Sequence, residues 1–147
     1  MEIRVKRLTS NDRDRARRLF RLMAEIFAEE SAALSDGYLD QLLRREEFWA
    51  LAAFAEDDII GGVTAHTLPM TRTESSEVFI YDIAVESEYR RKGVGRLLLR
   101  ALCEQASEDG IQPVFVSVDA GDVHALDFYR SLGGTPSPVT IFSFPQS

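Results

Sequence analysis

The chain has 147 residues, 45% hydrophobic and 28% charged, and 17 basic against 24 acidic side chains leave a formal net charge of −7. That length suits one domain, residues 1–147, with a core large enough to stand without disulfide or metal, and nine Phe, four Tyr and one Trp exclude disorder as its main state. The longest wholly apolar run, Phe48 to Ala55, falls far short of the roughly twenty residues of a membrane span, and the acidic balance argues against broad nucleic-acid binding.

The chain opens with Met-Glu-Ile-Arg-Val-Lys, in which Ile3 and Val5 share a side as in a half-buried strand. No apolar stretch follows these charges, so no secretory signal is expected. Ser10 or Asn11 can cap a helix whose Ala16, Leu19, Phe20, Met23 and Phe27 recur at three- and four-residue steps and read as core. Its Arg13, Arg15, Arg17 and Arg18 read as a solvated face. A second, shorter helix starts at Ser35 or Asp36 and carries Leu39, Leu42 and Leu43. Phe48–Ala55 is too uniformly apolar for a one-sided strand and is expected at the centre of a sheet, with Trp49 in the core. Glu56-Asp57-Asp58 turns the chain and Ile59 to Leu68 returns antiparallel; Gly61-Gly62 inside that strand signals a bulge or a close backbone approach.

After a polar connection from Pro69 to Ser76, Glu77 to Val85 is the strongest strand of the chain. A helix spans about Gly93 to Asp109, with Gly110 suited to end it. Val114 to Val118 reads as a short buried strand, Asp122 to Leu132 as a helix ending at Gly133-Gly134, and Val139 to Phe144 as a last strand. The order β-α-α-β-β-β-α-β-α-β predicts an α/β fold. Its mixed central sheet has an antiparallel front half and a βαβ unit behind, flanked by helices.

The stretch Asp82-Ile-Ala-Val85, Glu-Ser-Glu-Tyr, Arg90-Arg-Lys-Gly93-Val-Gly95-Arg96 carries the most chemistry. A strand feeds a basic, glycine-containing turn, and the turn opens a helix. Gly93 and Gly95 keep side chains away, so backbone N–H groups can converge on an anion at the positive end of the helix dipole. Arg90, Arg91 and Lys92 add formal charge. By physics alone this is a pyrophosphate cradle; by pattern alone, a glycine-capped surface helix with solvated arginines would look the same.

Arg90-x-x-Gly93-x-Gly95, on this strand and helix, resembles the Arg/Gln-x-x-Gly-x-Gly/Ala motif of the GNAT superfamily of N-acetyltransferases. Ala125-Leu-Asp-Phe128-Tyr129-Arg-Ser-Leu-Gly133 resembles its second signature. From Tyr38 to Gly133 a closer likeness exists, to the type I aminoglycoside 3-N-acetyltransferases. It is carried by Tyr38-Leu-x-x-Leu-Leu, Phe48 with Ala50-Leu-Ala-Ala-Phe54, Leu68-Pro69, Glu77-x-x-Ile-Tyr81-Asp82-x-Ala-Val85, and Asp119-x-Gly-Asp122. The resemblance implies a cytoplasmic enzyme, without a metal, that moves an acetyl group from acetyl-CoA to the 3-amino group of a deoxystreptamine ring, an antibiotic-resistance type of activity. It implies that backbone groups of Ile83, Ala84 and Val85 hold the pantetheine, and that the turn from Arg90 through Arg91, Lys92, Gly93, Val94 and Gly95 to Arg96 holds the pyrophosphate. It implies further cofactor contacts at Ala125 and Phe128, a substrate amine at Tyr81 and Asp82, and a proton for the departing thiolate from Tyr129. Enzymes of this kind are commonly homodimers, a state on which the residues themselves are silent.

The residues read alone agree in part. Strict alternation places Asp82 on one face with Val78, Ile80 and Ala84, while Tyr81 points the other way. A carboxylate among apolar neighbours calls for a cation or a donor; an Asp held by backbone donors at a bulge would also satisfy it. Asp119 and Asp122 follow the next strand and could take further ammonium groups, as a polycationic acceptor demands. Asp is also a preferred N-cap, and many GNAT members carry Asn where Asp122 stands, so cofactor, substrate and helix remain open for it. Two rival readings use the same residues: a GNAT enzyme for a polyamine or a peptide amine, and a non-catalytic module that binds acyl-CoA or an antibiotic. Cys103 lacks a basic neighbour and cannot form an internal disulfide, and His66 and His124 lack the spacing of a metal pair.

Overall fold

The strand patterns assemble into one five-stranded sheet in order β1-β2-β3-β4-β5, in a computed structural model that describes residues 2–146. The strands are β1 (Ile3–Arg7), β2 (Phe48–Ala55), β3 (Asp58–Pro69), β4 (Ser76–Val85) and β5 (Val114–Val116). The helices are α1 (Arg13–Ile26), α2 (Asp36–Arg44), α3 (Val94–Glu108) and α4 (Val123–Ser131). β1 to β4 pair antiparallel and β4 pairs with β5 in parallel across α3, which is the mixed α/β arrangement expected. The chain divides into two compact units, one ending at Ser117 and one beginning at Val118.

In the first unit every residue of β2 is buried, because both faces of the sheet are covered. Trp49, Leu51, Ile60, Val63, Val78 and Ile80 pack with Val94, Leu98 and Leu102 of α3 on one face. Ala16, Leu19 and Met23 of α1 and Leu43 of α2 pack with Phe48, Ala50, Ala52 and Phe54 on the other. Gly62 is required where α1 crosses, since a Cβ there would lie 2.5 Å from Leu19 Cδ1 and 2.8 Å from the Leu51 carbonyl. The bulge expected near these glycines lies between Gly61 and Ile59, where Ile60 is passed over in the pairing with Ala53 and Phe54. Ser35 caps α2 by accepting from the Tyr38 amide at 3.1 Å.

Two details of the N-terminal helix depart from the sequence reading. Its cap residue is Asp12, and the carboxylate turns back instead of capping forward: it accepts from the Thr9 amide (2.8 Å), Lys6 Nζ (3.0 Å) and Arg15 (2.9 Å). Three of the four arginines of its outer face are paired rather than merely solvated: Arg15 with Asp12, Arg13 with Asp40 at 3.1 Å and Arg17 with Asp36, the last two partners belonging to α2. Burial pushes the Asp12 carboxyl up, but the donors from Thr9, Lys6 and Arg15 outweigh it and hold the group down to about 2. Asp12→Asn is therefore expected to lower the unfolding free energy at pH 7 by about 2 kcal/mol. The stabilisation is fully present above the unfolded-state pKa near 3.8 and is lost as pH falls through about 2. Urea unfolding of both proteins across that range checks the convergence.

In the second unit Asp122 Oδ1 accepts from the Ala125 amide at 3.1 Å and starts α4, and Gly133 leaves it in the left-handed region at φ +94°. The strand expected at Val139–Phe144 is not formed: residues 135–146 have no regular structure, and residues 133–146 are all exposed. Alternation of side chains describes a strand's faces but supplies no ladder, and among the described residues no strand pairs with this segment.

Candidate active site

The register of β3 against β4 sets the geometry of the first unit's concave face. Thr64 pairs with Asp82 and Ala65 with Ile80, so Tyr81 is an extra residue in β4. Before it, Val78 and Ile80 belong to the core under α3; beyond it, Ile83 and Val85 pack against that core and Ala84 joins the core under α1. The inward–outward alternation therefore slips at Tyr81-Asp82, and both side chains emerge on the α1 side. This corrects the expectation that Tyr81 points away from Asp82 and that Asp82 shares a face with Val78 and Ile80.

Tyr81 and Asp82 line one cavity of about 480 Å³. Its floor also holds Thr64 and His66 of β3, α1 contributes Phe20 and Met23, Glu29 and Glu30 follow that helix, and Tyr38 of α2 closes the far side. Glu29, Glu30 and Asp82 bring three carboxylates, and no Lys or Arg lines the cavity. Burial, and then the charge of Glu29, raise the Asp82 pKa above the ordinary aspartate value. Aromatic rings run through the cavity without a break. Phe20 meets Phe48 (centroids 6.2 Å apart), Phe48 meets His66 (5.3 Å), and His66 meets Tyr81 edge-on (5.8 Å). Carboxylates and aromatic rings lining one cavity attract ammonium groups by charge and by the ring quadrupole.

Beyond the bulge β4 is open along one edge. Its pairing with β5 ends at Ile80 with Val116, so Tyr81 to Val85 have no ladder partner on that side among the described residues. At the end of this edge Arg90 Nε donates to the Val85 carbonyl at 3.2 Å, and Lys92 Nζ lies 5.5 Å from the Tyr89 ring centroid. Gly93 takes φ +81° with nothing within 4 Å of where a Cβ would be. The first intrahelical bond of α3 joins the Leu97 amide to Gly93 O at 3.0 Å, which leaves the amides of Val94, Gly95 and Arg96 directed out of the helix start. A basic, open helix start at the end of an unpaired strand edge fits a long ligand with a pyrophosphate at one end.

The remaining sequence-predicted residues, Asp119, Asp122, Ala125, Phe128 and Tyr129, belong to the second unit. There Asp122 is occupied as a cap, Asp119 is exposed, and the Phe128 and Tyr129 rings meet edge-on at 5.0 Å. The sequence assigns no site role to Glu29, Glu30 or His66 and names Tyr38 only within the family likeness, and Phe20 and Phe27 have the spacing of core although Phe27 is 40% exposed. The one local signal for them is Phe27-Ala-Glu-Glu30, in which two acids directly follow the apolar stripe as Ala28 turns the chain at φ +53°.

The acetyltransferase (GNAT) family profile matches residues 15–133. A solved aminoglycoside acetyltransferase, meta-AAC0020 from an uncultured soil metagenomic sample, in complex with sisomicin, superposes with TM-score 0.94 at 31% identity, covering 99% of this chain and 97% of that one. A second from such a sample, HMB0005, superposes with TM-score 0.94 at 30% identity over 100% of both chains. In sequence, the chain is 33% identical over 78 residues to the ribosomal protein bS18-alanine N-acetyltransferase of Escherichia coli, which is 53% of each protein. The chain thus spans about half the length of the curated relatives it matches first.

Proposed function

This chain belongs to the acetyltransferase (GNAT) family, and on that premise we propose that it moves the acetyl group of acetyl-CoA to the 3-amino group of an aminoglycoside. The observation that carries the reading is the slip at Tyr81-Asp82, which turns a strand carboxylate into an aromatic cavity with Glu29 and Glu30 and without a basic residue. Such a cavity favours an acceptor with several ammonium groups, and the likeness to a sisomicin-bound enzyme supports that class.

Bound acetyl-CoA supplies an activated thioester. The open edge at Ile83, Ala84 and Val85 holds its arm, and Arg90, Arg91, Lys92 and the amides of Gly93 to Arg96 hold its pyrophosphate. Glu29 and Glu30 draw in the polycation, and Tyr81 stacks against it. Asp82, its pKa raised, takes the proton of the reacting amine as the new N–C bond forms and the C–S bond breaks. Tyr129 gives its proton to the departing sulfur. Asp119 adds negative charge for a further ammonium, and Asp122 serves by starting the helix that carries Ala125, Phe128 and Tyr129. Cytoplasmic residence fits the single Cys103.

The test is acetyl-CoA consumption with sisomicin, gentamicin, kanamycin, spermidine and an N-terminal alanine peptide, followed by NMR of the product. Turnover of the aminoglycosides with the acetyl group on the 3-amino nitrogen is expected. The bS18-alanine N-acetyltransferase relative favours the peptide as the second reading, and turnover of the peptide alone would replace ours with it.

A further inference from the structure

Among the described residues two polar or charged side chains are buried, Asp12 and Thr64. Donors from Thr9, Lys6 and Arg15 offset the burial of Asp12. Thr64 is 6% exposed, and its hydroxyl has no hydrogen-bond partner among the described residues. A hydroxyl taken out of water without a partner is destabilising, and valine has nearly the same shape without that cost. The neighbours on β3 give no reason for a polar group here, since Val63 and Ala65 are core residues under α3.

The sheet places this hydroxyl with care. Val63 and Ala65 face α3, so alternation turns Thr64 to the α1 side. There it lines the cavity with Asp82, its direct partner across the β3–β4 ladder. Had the pairing of Ala65 with Ile80 continued in register, Thr64 would stand opposite Tyr81 instead. Directly opposed residues hold their Cβ atoms about 4.5–5.5 Å apart, so hydroxyl and carboxylate border the same space. No hydrogen bond joins the two side chains, which leaves both open to what enters the cavity.

We propose that Thr64 holds the reacting amine: its hydroxyl oxygen accepts a hydrogen bond from the nitrogen whose proton Asp82 takes. This rests on the reading of the chain as an acetyltransferase with Asp82 as its base. A primary amine carries two N–H groups and one lone pair, and the amide product keeps one N–H. Asp82 takes the hydrogen that is lost as the N–C bond forms. Thr64 Oγ1 accepts from the one that is kept, and no proton moves to it. With both N–H groups engaged, the lone pair is the one free direction on the nitrogen, and attack on the thioester uses it.

The test is steady-state kinetics of the full chain with acetyl-CoA and sisomicin, for the parent, Thr64→Val and Thr64→Ser. Thr64→Val is expected to lower kcat by roughly 10–100-fold, the scale of a misdirected nucleophile, with KM for acetyl-CoA within about twofold. Thr64→Ser keeps the hydroxyl and should return kcat to within about threefold of the parent. The acid limb of the pH profile should not move in either variant, since the hydroxyl holds the amine and not the charge of Asp82. Tm of Thr64→Val should be held or raised. Parent-like turnover in Thr64→Val overturns the proposal. So does an equal loss in Thr64→Val and Thr64→Ser, which would make the shape of the floor the cause. An acid limb displaced in Thr64→Val also overturns it, by making the hydroxyl a partner of the carboxylate instead of the amine. If Thr64→Val does not fold, Thr64→Ala against Thr64→Ser decides in the same way. A parent inactive on sisomicin but active on the alanine peptide overturns the aminoglycoside reading alone, and the same ratios on the peptide then judge Thr64. A parent inactive on every amine of the panel overturns both.

Discussion

Replacing Asp82 by Asn is expected to lower the turnover number for aminoglycoside acetylation by roughly 10²–10⁴-fold, the range for losing a positioned general base. Affinity for acetyl-CoA, measured by calorimetry, should stay within about twofold, because the amide keeps the shape of the carboxylate and the proposed cofactor groups lie elsewhere. The pH profile carries the sharper test. Asp82 works only when ionised, and burial together with Glu29 raises its pKa, so activity should fall off on the acid side at a higher pH than an ordinary carboxylate would dictate. Glu29→Gln removes one of the two causes. The acid limb of kcat/KM should then move to lower pH, while KM for a polyamine-like acceptor rises through the lost charge. An acid limb unchanged in both variants would take Asp82 out of the proton transfer, and normal turnover in Asp82→Asn would take it out of the mechanism.

Gly61→Ala is expected to be strongly damaging for a single-methyl change. Gly61 stands opposite Val85 in the ladder, and a Cβ there would lie 2.6 Å from the Ala84 carbonyl oxygen and 3.2 Å from Val85 Cα. Both are backbone atoms, which cannot rotate aside as a side chain can. Overpacking of this kind costs about 2 kcal/mol, so Tm should fall by roughly 4–8 °C in a chain of this size. Because the strand must shift at Ala84 and Val85, affinity for acetyl-CoA should fall as well. Gly37→Ala is the control. It lies in α2, a Cβ there meets nothing within 4 Å, and the better helix former should hold Tm or raise it slightly. Calorimetric melts of the three proteins decide it, and equal Tm values for parent and Gly61→Ala would refute the close approach.

Where a pattern reports burial, it was legible in the residues alone. Phe48 to Ala55 reads as a central strand because unbroken apolarity requires cover on both faces, and that strand is buried throughout. Gly110 and Gly133 end helices with positive φ where their position after an apolar stripe indicates. Register was not legible. Strict alternation through Glu77–Val85 sends Tyr81 away from Asp82, and only the pairing with Thr64 and Ala65 reveals the extra residue. The cavity wall was hidden for a related reason. Phe20 has the spacing of core, and a stripe that covers a core differs from one that borders a cleft only in what stands opposite. The tail differs because Val139–Phe144 has the side chains of a strand, while a strand also needs a neighbour that no local pattern supplies.

The complete burial of β2 bears on the chain before it folds. Eight apolar residues without a charge or proline are the composition that self-associates when exposed. Until β1, β3 and both layers of helices have closed over it, this segment is a hazard to every other copy being made. Arg44, Arg45, Glu46 and Glu47 stand directly before it and Glu56, Asp57 and Asp58 directly after. Once folded, these charges ring the ends of the strand at the surface. Beforehand they act as gatekeepers, since stacking identical segments would bring like charges together at both ends. Part of the chain's acidity thus serves solubility during synthesis, and exchanging the three acids after β2 for neutral residues would shift the newly made protein toward inclusion bodies without altering its final fold.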